Sequence, residues 1–120
     1  MPRAYDPFDD IRPEAAGVSL VPPQAVADNA ARGLQLREQF RRGGTQVGAG
    51  IAASLARRDA QTLDMIRRMV SYFARHEVDK RGRNFGNAAD PSAGHIAWLL
   101  WGGDEGRAWA LEMRQRLAGQ

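Results

Sequence analysis

Apolar positions in this chain recur at helical spacing in separate blocks, each fenced by glycine, proline or a capping side chain. Pro22 and Pro23 suit the first turn of a helix, where no backbone donor is needed. Behind them Val26, Ala30, Gly33, Leu36 and Phe40 fall on one stripe. This predicts a first helix to about Arg42, stopped by Gly43 and Gly44. Gly33 lies inside it at a cost of about 1 kcal/mol relative to alanine, and so marks a close approach of another helix. Thr45 is a good N-cap for a second helix from Gln46 to about Arg58. It has Val47, Ile51 and Leu55 at steps of four, with glycine and alanine over most of the remainder. A third helix begins behind Asp59 or Thr62 and reaches about Glu77. At about 100° per residue, Leu63, Ile66, Met69, Val70 and Phe73 share one arc of it.

Lys80 to Asp90 reads as a polar loop, and Pro91 and Ser92 open a fourth helix to about Trp101. Ile96, Ala97, Trp98, Leu99, Leu100 and Trp101 leave it no polar stripe, which predicts a buried, central element. Gly102 and Gly103 end it. Asp104 is expected to cap a last helix to about Ala118, packed through Trp109, Met113 and Leu117. No repeat and no strand of useful length is present. The fold class expected is all-α: a small orthogonal bundle of about five helices around a central apolar, tryptophan-rich helix. Residues 1–20 hold Pro2, Pro7 and Pro13 among acidic residues and show no sustained period. They are expected to form an irregular extended arm, leaving 21–120 as a single helical domain.

Composition adds limits. A chain of 120 residues has room for one core, and 43% apolar with 26% charged residues is ordinary for a folded domain. The absence of cysteine excludes a disulfide framework, a thiolate zinc site and a cysteine nucleophile. No early apolar run follows a basic start, so no signal peptide is expected. The block Ile96 to Trp101 is too short to span a bilayer, and no membrane partner is expected.

Charge is more telling. Sixteen of the 17 basic residues are arginine. Asp6, Asp9, Asp10 and Glu14 against Arg3 and Arg12 give the opening a charge of −2, so a total of +3 leaves +5 on residues 21–120. A basic body favours an acidic partner, whether nucleic acid or an acidic protein surface. The candidate surface is Arg57, Arg58, Arg67, Arg68, Arg75, Arg81 and Arg83, spread over the end of the second helix, one side of the third and the loop after it. No base-reading motif accompanies it.

The chemistry-bearing side chains are few. His76, Glu77, Asp79 and His95 form the one grouping whose residue types suit a metal or acid–base work. The second histidine of a zinc-protease helix is missing, and neither metal nor cofactor is expected. In helical phase Glu77 projects between Ile66 and Val70. It is expected to be a buried carboxylate clasped by His95, Arg107 or an indole N–H, since an unpaired buried charge is costly. A small enzyme using Glu77, His76 and His95 is the remaining catalytic reading, and no catalytic residue is assigned. The Gly-Gly pairs lack a P-loop lysine and read as helix stops.

Three stretches carry a family resemblance: GGTQVG at 43–48, RRMVSYFARHEVDK at 67–80 and PSAGHIAWLLWGGDEGRAWA at 91–110. Together they resemble a small helical domain of tailed-bacteriophage proteins, found alone or fused to head-assembly proteins such as prohead proteases and portal-associated proteins. The likeness covers about residues 21–110. It implies a phage setting, a place in the host cytoplasm or the virion, and another phage protein as partner, with nucleic acid as the alternative. It brings no catalytic residues with it. The function expected is therefore a non-enzymatic binding module acting in head assembly or in the virion.

Overall fold

In a computed structural model, residues 17–118 of the chain are described. They form five α-helices and one 3-10 turn: α1 (Gln24–Phe40), α2 (Gln46–Ala56), α3 (Leu63–His76), the turn Glu77–Arg81, α4 (Ala93–Leu100) and α5 (Gly103–Ala118). Among the described residues there is no strand. Three helices start on hydroxyl caps. Thr45 Oγ1 accepts the Gly48 N–H at 3.1 Å, Thr62 Oγ1 the Met65 N–H at 3.1 Å, and Ser92 Oγ the His95 N–H at 3.0 Å. Each hydroxyl satisfies a donor that the first turn leaves without a carbonyl. The end of α1 is set by Arg41, which takes left-handed backbone angles (φ 51°, ψ 45°), and by Gly43 and Gly44, also at positive φ.

The bundle closes around α4, which packs against every other element. Ile96, Trp98 and Leu100 are buried there, and Phe73 of α3 meets the Trp98 ring edge-on at 4.8 Å. Gly33 allows α1 to lie against α4. A β-carbon at that position would stand 2.8 Å from the Leu100 backbone nitrogen. Trp109, Met113 and Leu117 line the buried side of α5, as their spacing predicts. No helix among the described residues is long and apolar enough to cross a membrane.

Two expectations need correcting. The arm does not extend to residue 20: Val18 and Leu20 are buried in the core cluster. The backbone there is tied in as well. The Gln61 N–H donates to the Leu20 carbonyl at 2.9 Å, and Arg58 Nε donates to the Pro22 carbonyl at 2.8 Å. Two apolar residues at alternate positions were enough to anchor the segment, although the run is too short to display a period. The rest of the expected arm, residues 1–16, lies outside the described residues. The second correction is Asp104. The last helix already includes Gly103, so Asp104 sits in its first turn and its carboxylate is directed to tertiary partners.

Candidate functional site

The end of α3 decides where the candidate polar residues go. Ile66, Met69, Tyr72 and Phe73 are its buried residues. At 100° per residue their centre lies roughly 60° from the arc expected from Leu63, Ile66, Met69, Val70 and Phe73. The cause is Tyr72. Its ring stacks on Trp101 at 4.5 Å with the planes 6° apart and on His76 at 4.6 Å with the planes 27° apart, which draws that side of α3 inward. The α-helix then stops at His76 and tightens into the 3-10 turn.

Glu77 consequently leaves the core. Its side chain is 53% exposed, which overturns the buried carboxylate expected there. The Arg107 half of the expected clasp does form: Arg107 Nη2 donates to Glu77 Oε2 at 3.0 Å. His95 is not part of it. Its ring stands edge-on to Phe85 at 4.8 Å, and its Nδ1 is buried without a hydrogen-bond partner. Burial holds the His95 imidazole below its ordinary pKa, against a smaller opposing pull from Asp104.

A second ion pair joins the 3-10 turn to α5. Lys80 Nζ lies 2.7 Å from Asp104 Oδ1, and the same carboxylate oxygen accepts the Trp98 indole N–H at 2.9 Å. Lys80 Nζ also sits 4.9 Å from the centre of the Trp98 ring, within cation–π range. The Lys80 hydrogen bond, helped by Trp98 and by the charges of Lys80 and Arg107, keeps the Asp104 carboxyl below its ordinary pKa against the effect of burial. The turn is therefore fastened to α5 at both ends, by Glu77–Arg107 and Lys80–Asp104.

His76 is used locally: Nδ1 lies 3.2 Å from Asp79 Oδ2. The Tyr72 hydroxyl is buried without a hydrogen-bond partner, and burial, with a smaller effect from Asp79, raises its pKa strongly. The catalytic reading required Glu77, His76 and His95 to converge. Each instead faces its own neighbour: Arg107, the Tyr72–Asp79 pair and Phe85. Among the described residues, no three histidine or carboxylate side chains are grouped to hold a metal ion.

The seven arginines divide in two. Arg57 donates through Nε and Nη2 to Asp59 Oδ2, Arg58 holds the Pro22 carbonyl, Arg67 lies 3.9 Å from Asp64, and Arg75 Nη1 donates to Ser71 Oγ at 2.6 Å. Arg68, Arg81 and Arg83 are exposed, and none makes a hydrogen bond or ion pair among the described residues. Only the latter three keep their guanidinium groups wholly available.

Sequence reasoning passed over the outer face of α2. The helix carries no charged residue from Gln46 to Ala56, in a chain that is 26% charged. Gly48, Ile51, Ala52 and Leu55 turn inward, so Gln46, Val47, Gly50, Ala53 and Ser54 form the other side. Val47 is 57% exposed and Gly50 stands in open space. The lack of charge is visible in the sequence, but which side of the helix stays uncovered is not. Compared with known proteins, the chain matches no family model, no curated protein and no solved structure.

Proposed function

We propose that this chain is a non-enzymatic helical binding module that docks another protein through the outer face of α2. The observation that carries this reading is an exposed helix face with no charge on it. Depletion of charge marks the centre of protein–protein interfaces. The small residues Gly50 and Ala53 would let a partner backbone come close, with Val47 as the protruding apolar contact. The resemblance at residues 43–48, 67–80 and 91–110 suggests the setting: a partner among phage head-assembly or virion proteins. The test is co-purification with candidate head proteins, comparing wild type with a double variant carrying Val47→Gln and Gly50→Gln. Both side chains have room outside the core, so folding should be retained while the partner is lost. A folded double variant that still retains the partner refutes the docking face.

The outward arginines Arg68, Arg81 and Arg83 favour a second reading, an accessory protein that binds nucleic acid. Phosphate-driven binding to random-sequence DNA must weaken steeply with added salt. Binding that ignores salt, or that survives neutralisation of these three arginines, would refute it.

A further inference from the structure

A separate cleft lies at the turn between α1 and α2, among residues that neither reading uses. It is an open pocket of about 670 Å³ whose lining includes Arg37, Glu38, Arg41, Arg42 and the Gly43-Gly44 pair. We propose that it is a binding site for a phosphate group carried on a nucleotide or a nucleic-acid strand.

Three guanidinium groups border the pocket, and two of them are held in place. Arg37 Nε donates to the Gly43 carbonyl at 3.2 Å. Arg42 Nη1 donates to Asp90 Oδ1 at 2.8 Å and to the Pro91 carbonyl at 3.1 Å. These bonds fix the two side chains yet leave further N–H groups on each, so ordering them for a ligand has little left to cost. Arg41 differs. Its left-handed backbone is uncommon for a residue with a side chain, and its guanidinium makes no hydrogen bond or ion pair among the described residues. One free fork beside two pre-oriented ones suits a tetrahedral anion that can accept from several donors at once.

Glu38 selects among anions. It is the one carboxylate in the lining, since Asp90, which lies outside it, is engaged by Arg42 and Asn84. An acidic peptide would press neighbouring carboxylates against Glu38. A nucleotide brings its charge on the phosphate, and the attached sugar presents neutral hydroxyl donors that Glu38 can accept from. The observations therefore favour a phosphate ester over an acidic peptide.

The experiment titrates the full chain with inorganic phosphate, a nucleoside monophosphate and a short single-stranded oligonucleotide. Backbone amide shifts and fluorescence anisotropy are the readouts, and the variants are Arg41→Gln and Arg114→Gln. We expect phosphate and the monophosphate to shift the amides of residues 37–44. Arg41→Gln should weaken phosphate and monophosphate by about tenfold, the effect of one lost charge-assisted hydrogen bond. Arg114→Gln removes the same charge from the exposed side of α5, outside the cleft lining, and should leave phosphate binding unchanged. Tighter binding of the oligonucleotide than of the monophosphate identifies a strand as the source, and equal binding identifies a free nucleotide. The proposal is overturned if phosphate leaves residues 37–44 unshifted, if Arg41→Gln and Arg114→Gln weaken it equally, or if a polyglutamate peptide binds the cleft more tightly than the oligonucleotide. The Val47 and Gly50 variants add no charge, so failure of the α2 docking face and failure of this site are separately visible.

Discussion

Replacing Gly33 by alanine should destabilise this protein, although the same change inside most helices does the reverse. Alanine in place of glycine ordinarily contributes about 1 kcal/mol to a helix interior, through backbone entropy. At Gly33 the added β-carbon would meet the Leu100 backbone nitrogen at 2.8 Å and the Leu99 carbonyl carbon at 3.1 Å. Neither is the loose end of a side chain, and α4 has neighbours on every side, so relief requires α1 and α4 to separate. Overpacking of this kind costs about 1–3 kcal/mol. A contact with backbone belongs in the upper half of that range, which leaves a net loss of about 1–2 kcal/mol. Gly50→Ala is the control, because nothing stands within 4 Å of its β-carbon. It should stabilise by roughly 0.5–1 kcal/mol. Urea unfolding with unchanged m-values reads both, and at about 4–8 °C per kcal/mol for a domain near 100 residues the melting temperatures should move apart visibly. A Gly33→Ala protein as stable as wild type would show that the α1–α4 contact is not close-packed.

Four further outcomes follow from the packing and the titrating groups. Trp98→Ala should cost about 3–5 kcal/mol, the range for deleting a large buried aromatic, and an unchanged melting temperature would contradict its place in the core. The Glu77–Arg107 pair is substantially exposed, so Glu77→Ala should cost no more than about 1 kcal/mol; a loss above about 2 kcal/mol would return Glu77 to the interior. His95 is held neutral by burial, so its contribution is present above the ordinary histidine value of about 6.5 and lost as pH falls from there towards its lowered folded value. His95→Phe should remove that step from melting curves taken across neutral to mildly acidic pH. Asp104, with its pKa lowered, contributes above the ordinary carboxylate range and loses that contribution as pH falls through its folded value. Asp104→Asn should flatten this more acidic step and keep the histidine step, which extends to lower pH once the opposing pull of Asp104 is gone.

Most helix limits were legible because they depend on local chemistry. Thr45, Thr62 and Ser92 cap where hydroxyls precede periodic runs, and Gly43-Gly44 and Gly102-Gly103 stop the chain at positive φ. The phase of α3 was less legible. Tyr72 is amphipathic, and whether its ring turns inward depends on Trp101, which is distant in sequence and stacks on it. That rotation, followed by the switch to 3-10 geometry, carried Glu77 outward while keeping it within reach of Arg107. The arginines were legible as a charge surplus but not as a surface. Whether a guanidinium is free depends on nearby acceptors such as the Pro22 carbonyl or Ser71 Oγ, which spacing does not reveal.

The order of the helices has a consequence for synthesis on the ribosome. The element that covers α1, α2 and α3 is the fourth helix, so residues 24–76 emerge with their apolar faces still lacking that cover. Non-local contacts such as Gly33 with Leu100 cannot form until Ala93–Leu100 has been made and has cleared the exit tunnel. A nascent chain stalled before Trp98 should therefore remain sensitive to protease and bound by chaperones, despite containing three complete helices. One extended past Leu117 should acquire protection across the whole domain at once.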